Sequence, residues 1–267
     1  MFRKKQQITF ALKFWRLTHW AKRLGHLTPF KQMAGLIVSD KVFRASFIPV
    51  REDIEVPPGV VAPREILRDY IARASHRTIS YRCPCRSGEG CRNHPADLGC
   101  MLLGDAAKAV DPDVGYSVTV EEGLAYLDRA VERGLLPMIG HVRVDRYVFG
   151  AKPFNRLLTL CFCCECCCIM RSGMSRLFDA YPRSMARLEG VKVEVTEECV
   201  GCGECVPVCP IKNVRLVDGA AEIGDKCLGC GTCASACSRG CIRVTIEPGS
   251  GMHEELKRRV EAGVDIE

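Results

Sequence analysis

The chain has 267 residues, 47% of them hydrophobic and 26% charged, with a net charge of +6. That length leaves room for one or two domains with a buried core, while the longest apolar stretches, such as residues 34–38, are far too short to cross a bilayer. Nineteen cysteines with no secretory signal recognised ahead of them argue against a disulfide scaffold and for cysteines that hold metal in a reducing, low-oxygen cytosol.

Residues 1–32 read as a basic amphipathic helical segment. Before Asp40 there are eight cations and no acid: Arg3, Lys4, Lys5, Lys13, Arg16, Lys22, Arg23 and Lys31. Phe10, Phe14, Leu17, Ala21 and Leu24 fall on one helical face, with Arg16, His19, Lys22 and Arg23 on the other. Such a stripe packs on its own domain, docks on an acidic partner or lies on the inner face of an anionic membrane. No nucleic-acid-binding motif accompanies the charge, so nucleic acid is not an expected partner.

Residues 33–190 read as a cysteine-rich domain of mixed α/β type. Pro57-Pro58-Gly59 marks a loop, and residues 64–75 have a helical pattern. A helix is expected over residues 98–110, opening at Cys100. Thr119-Val120-Glu121-Glu122 is a capping box for a further helix that runs to about Arg133 and stops at Gly134. Strands are expected over residues 135–149 and 156–161. This region carries ten cysteines in two groups, Cys83 to Cys100 and Cys161 to Cys168. Six cysteines in eight residues cannot form a disulfide ladder, because adjacent side chains point apart. At a strand end or sharp turn, however, alternate members converge as metal ligands. The candidate ligands are Cys83, Cys85, Cys91, Cys100, Cys163, Cys164, Cys166, Cys167 and Cys168; Cys161 is not counted among them. They are expected to hold one or two iron–sulfur clusters shared between the groups, with some of the ten thiols left as buried core. Arg82 and Arg86 flank the first pair, either as donors that offset cluster charge or as ordinary surface arginines.

Residues 191–247 carry one four-cysteine run twice: Cys199, Cys202, Cys205 and Cys209, then Cys227, Cys230, Cys233 and Cys237. Eight thiolates at this spacing are the ligands of two [4Fe–4S] cubanes. Three cysteines on one tight loop reach three corners of a cube, and the remote fourth closes the other cube. Cys199, Cys202, Cys205 and Cys237 are therefore expected to hold one cluster, and Cys227, Cys230, Cys233 and Cys209 the second. Zinc also takes four thiolates, but it leaves the third cysteine of each triplet without a use. Cys241, a ninth thiol, reads as a small buried side chain. Residues 248–267 read as a helical or flexible tail.

The repeat VKVEVTEECVGCGECVPVCPIKNVRLV and AAEIGDKCLGCGTCASACSRGCIRVTI resembles the bacterial-type two-cluster ferredoxins. The resemblance implies two halves of strand, cluster loop, short helix and strand around two cubanes, with electrons passing between them. Pro210 keeps that family's proline after the fourth cysteine, and Ser238 departs from it. The wider pattern FIPVREDIEVP, YRCPCRSGEGC, DLGCMLLGDAA, VTVEEGLAYLDRAVERGLL and CFCCECCC ahead of the repeat is similar to a group of 4Fe–4S dicluster-domain proteins of anaerobic bacteria and archaea. That likeness implies that the two regions travel together, and it supplies no reaction. The cysteine run also has a weak likeness to the cysteine-rich domains of heterodisulfide reductases.

The expected architecture is α+β, with a ferredoxin-like dicluster domain of βαββαβ-like plan following the mixed α/β cysteine-rich domain. The expected function is cytoplasmic one-electron transfer between redox partner proteins. The alternative is an oxidoreductase whose middle-domain cluster reduces a disulfide or small substrate. A nucleotide or flavin cofactor is not expected, because no Gly-rich phosphate loop is recognisable.

Overall fold

A computed structural model describes residues 43–50, 54–58, 60–173 and 185–267. The basic amphipathic segment lies outside the described residues. The cysteine-rich region is built on six strands: β1 (Phe43–Phe47), β2 (Arg77–Ser80), β3 (Met101–Leu103), β4 (Gly115–Ser117), β5 (Leu136–Val142) and β6 (Leu158–Cys163). They form one sheet in the order β1-β5-β6-β3-β2-β4, with every neighbouring pair antiparallel.

One face of this sheet is covered by two helices, α1 (Pro63–Arg73) and α3 (Val120–Glu132), which pack on each other. Ile66, Leu67, Tyr70 and Ile71 of α1 and Tyr126, Leu127 and Ala130 of α3 bury their apolar stripes against Met101, Leu103, Leu158 and Leu160. The capping box forms as read: the Thr119 amide donates to Glu122 Oε2 at 2.8 Å, and the Glu122 amide to Thr119 Oγ1 at 3.2 Å. The other face carries a smaller core around Cys100, Leu102, Ala106, Phe149 and Leu157. The period-two alternation of β3 thus divides its side chains between two cores.

The helix expected over residues 98–110 is instead β3 followed by a 3-10 turn, Asp105–Ala109. Residues 101–103 are buried between β2 and β6, whose ladders supply their backbone partners on both sides. Gly104, with φ +98°, then turns the chain out of the strand and into that 3-10 turn. The strand expected over 135–149 ends at Val142 and gives way to a short helix, α4 (Asp145–Val148). The strand expected over 156–161 is shifted to β6, so it carries Cys161 and Cys163 within it.

The double cysteine run contributes β7 (Val191–Val195), α5 (Cys205–Val208), β8 (Val214–Val217), β9 (Ala220–Ile223), α6 (Thr232–Ala236) and β10 (Ile242–Ile246). β7 pairs with β10, and β8 with β9, both antiparallel. Beyond it, α7 (Met252–Val260) returns to the large sheet and packs on β1 and β5, with Leu256 and Val260 fully buried. The last residues continue this docking: the Ser75 amide donates to the Ile266 carbonyl at 2.7 Å, and Arg73 pairs with Glu261. Among the described residues no helix is long and apolar enough to cross a membrane.

One side chain fastens the cysteine loop to the sheet. Arg86 sits in α2 (Pro84–Glu89) and is fully buried. Its Nε donates to the Pro95 carbonyl at 2.8 Å, Nη1 to the Phe162 carbonyl at 2.7 Å, and Nη2 to the Leu98 carbonyl. A buried carbonyl left without a donor costs roughly 1–3 kcal/mol. Arg86→Met is therefore expected to lower the unfolding free energy by about 3 kcal/mol. Arg86→Lys, which keeps the charge but lacks the fork, should recover only part of that. Denaturant unfolding of the anaerobically purified protein checks this, and an unchanged midpoint in Arg86→Met would refute it.

Candidate metal centres

In the double run, each residue of the first cysteine motif has a counterpart 28 positions later, and the backbone repeats with it. Gly201 and Gly203 have φ +65° and +83°, and their counterparts Gly229 and Gly231 have +68° and +71°. These left-handed positions bend each loop so that its three cysteines face one centre. Gly201 also passes so close to the Gly219 carbonyl that a Cβ would stand 2.2 Å from that oxygen.

The two loops enclose two cavities. One is lined by Cys199, Cys202, Cys205 and Cys237, with apolar walls from Leu216 and Ile242. The other is lined by Cys227, Cys230, Cys233 and Cys209, with Ile211, Val214 and Ile223 around them. Backbone amides point at the sulfurs in matching fashion. The Asn213 amide donates to Cys209 Sγ at 3.2 Å, and the Cys241 amide to Cys237 Sγ at 3.3 Å. Burial opposes ionisation of Cys237, but the amides of Cys241, Arg239 and Ile242 outweigh it and lower its pKa. Burial pushes Cys233 up to about 12. Amide donors of this kind stabilise sulfur that carries negative charge, which is the state a metal ligand needs. Cys241 is buried, and its thiol donates to the Glu198 carbonyl at 3.3 Å.

The ten cysteines of the other region come from three places: the α2 loop (Cys83, Cys85, Cys91), the start of β3 (Cys100), and β6 with the turn after it (Cys161 to Cys168). The antiparallel register pairs Met101 with Leu160. It therefore sets Cys100 opposite Cys161, and their sulfurs lie 3.5 Å apart. On the other side of β3, Gly99 lets the chain pass close to β2, since a Cβ there would stand 2.0 Å from the Ser80 carbonyl oxygen.

Six of the thiols form a connected chain. Cys100 and Cys85 are the thiol neighbours of Cys83 and lower its pKa well below the ordinary thiol value. Cys168 is lowered in the same way by Cys163 and Cys85. Cys85, Cys100 and Cys163 are raised correspondingly, and the Cys161 sulfur lies 3.5 Å from that of Cys100.

The remaining four, Cys91, Cys164, Cys166 and Cys167, gather separately, with all four sulfurs within 4.8 Å of one another. Cys91 and Cys166 are 3.5 Å apart, and the Cys167 amide donates to Cys164 Sγ at 3.3 Å. Beside them His94 Nε2 lies 2.9 Å from Glu165 Oε2, tying the Cys91 loop to the cysteine turn. Arg86 stands between the two groups, next to Cys83 and Cys164. Burial lowers its pKa, but its neighbours Cys83, Cys164 and Cys100 outweigh that and raise it. Arg82 points away and bonds Ser87 on the surface.

Two residues in these centres escaped the sequence reading. Cys161 faces Cys100 across the ladder, and the alternation of Cys161, Phe162 and Cys163 along a strand was the signal for it. Arg171 is buried, donating from Nη1 to the Cys163 carbonyl at 3.3 Å and from Nη2 to Thr232 Oγ1 at 2.8 Å. Thr232 Oγ1 in turn lies 3.3 Å from Cys230 Sγ. No sequence signal marks Arg171, because its partners belong to the two ends of different regions.

Residues 198–242 match the family model of the 4Fe–4S dicluster domain. No curated protein and no solved structure shows a significant match to the chain. The chain is thus a mixed α/β protein whose C-terminal part is a 4Fe–4S ferredoxin-type domain, with a second, separate concentration of thiols ahead of it.

Proposed function

We propose that this protein carries single electrons between redox partner proteins through two [4Fe–4S] clusters and a further cluster in the cysteine-rich region. The observation that carries this reading is the lining of the two cavities, each of which combines a triplet from one run with the fourth cysteine of the other. Cys199, Cys202, Cys205 and Cys237 would hold one cubane, and Cys227, Cys230, Cys233 and Cys209 the other. Bound clusters of this type supply reversible one-electron chemistry and no bond-making step.

The protein's own groups set the order of the centres. Cys202 is exposed, so the first cavity reaches the surface where a partner can approach. The second cavity adjoins the cysteine-rich region through the hydrogen bonds from Arg171 to Thr232 and from Thr232 to Cys230. Further contact comes from the Ile246 amide, which donates to the Glu55 carbonyl at 3.3 Å. The six connected thiols around Cys83 and Cys168 are the donor set for the additional cluster. Arg86 and Arg171 supply positive charge beside it. The basic segment before Asp40 is proposed to dock an acidic partner.

Three outcomes are expected. After anaerobic purification, acid-labile sulfide should reach about twelve per chain, four for each of three cubanes; a value near eight would remove the cluster of the cysteine-rich region. Cys237→Ala should cost the cluster whose triplet is Cys199, Cys202 and Cys205. Site-selective paramagnetic resonance showing loss of the neighbouring cluster instead would refute the crossed assignment. Thr232→Val removes the hydroxyl beside Cys230 Sγ. Fewer donors to a ligating sulfur disfavour the more negative reduced state, so the midpoint potential of that one cluster should fall while the other stays. A redox titration followed by resonance checks this, and equal shifts at both clusters would count against it.

A further inference from the structure

Among the described residues, Cys91, Cys164, Cys166 and Cys167 are the one group of three or more metal-ligating side chains drawn within 4.8 Å. We propose that these four thiols form a site of their own for a single soft divalent ion, zinc or ferrous iron, and take no part in an iron–sulfur cluster. The proposal goes beyond the electron-transfer reading and stands independently of it.

Size separates the two kinds of site. A tetrahedral ion with metal–sulfur bonds of about 2.3 Å places its ligand sulfurs about 3.8 Å apart. A cubane binds each thiolate to a different iron at a different corner, which spreads the sulfurs farther. The same chain supplies the comparison. Neither ferredoxin-type set, Cys199/Cys202/Cys205/Cys237 nor Cys227/Cys230/Cys233/Cys209, brings even three sulfurs within that limit, and neither do the six connected thiols. The group around Cys91 does so with all four, at a spacing that includes 3.5 Å between Cys91 and Cys166.

The donor chemistry agrees. Four thiolates select a soft or borderline ion over magnesium or calcium, and four protein ligands close the tetrahedron with no open position. Cys91 comes from the α2 loop and the other three from the turn after β6, so the ion would staple the two. His94 and Glu165 make the same crossing beside it. Four thiolates around one divalent cation leave a net negative charge, and the buried Arg86 guanidinium next to Cys164 lies where it offsets that charge. Such a staple holds the wall of the neighbouring six-thiol group in place, since Cys163 and Cys168 flank its ligands in the sequence.

The test is stoichiometry on the full chain, purified anaerobically, with iron, zinc and acid-labile sulfide all measured. Cubanes bring iron and sulfide in equal number, so a single ion appears as about one metal per chain in excess of sulfide. Cys166→Ala, at the exposed ligand, should abolish that excess and leave sulfide unchanged. Cobalt(II) loaded in place of the ion should give thiolate charge-transfer absorption that this variant lacks. Whether the excess is zinc or iron identifies the ion. Metal equal to sulfide in the unaltered protein would overturn the proposal, as would loss of sulfide together with metal in Cys166→Ala. If that variant does not fold, the count on the unaltered protein decides alone. Sulfide near zero would instead defeat the electron-transfer reading, which is a separate result.

Discussion

A buried cation among sulfurs and carbonyls is the constraint on which the cysteine-rich region depends. Taking a guanidinium out of water is costly unless its donors and its charge are matched. Arg86 meets both conditions: three backbone carbonyls accept from it, and Cys83, whose pKa is lowered well below the ordinary thiol value, lies beside it. The three carbonyls belong to residues 95, 98 and 162, so one side chain fixes the loop, the approach to β3 and the end of β6 together. Every thiol of the region is carried by one of those pieces or lies next to it.

The sheet supplies the second constraint. An antiparallel register leaves no freedom in which residue stands opposite which. Once Met101 pairs with Leu160, Cys100 faces Cys161 on the side of the sheet away from α1 and α3. The strand carries two cysteines in regular alternation and then breaks, and the break lets Cys164, Cys166 and Cys167 turn toward a different centre while Cys168 returns beside Cys163. The separation of Cys164, Cys166 and Cys167 from Cys161 and Cys163 thus follows from the point where β6 ends, at Cys163. A strand one residue longer would aim Cys164 at the helix-covered face.

The two thiol-rich regions are joined through groups that touch sulfur on both sides. Arg171 leaves the cysteine turn and bonds Thr232, whose hydroxyl lies against Cys230. Around this link the cores merge, with Leu228, Ala234 and Val244 in the same apolar cluster as Leu160 and Phe162. The C-terminal helix returns to β1, so the chain that follows the ferredoxin-type domain is held to the large sheet.

Much of this was legible in residue spacing. The double run divides by spacing into two sets of four because a tight loop reaches only near neighbours, and each of the two cavities is lined by one of those sets. The helix at Thr119 was readable from its capping box, since capping is a local interaction. Residues 98–110 were not readable as a strand. Their apolar run suits either element, and the ladders of β2 and β6, far away in sequence, decided for β3. The same holds for the ten thiols. Their number and the two places where they occur are properties of the sequence alone. Which sulfur meets which depends on strand register, on the end of β6 and on the buried Arg86, all of them non-local. Local geometry is written in neighbouring residues, while the meeting of distant ones is settled by the one packing that buries the apolar faces and satisfies the buried polar groups together.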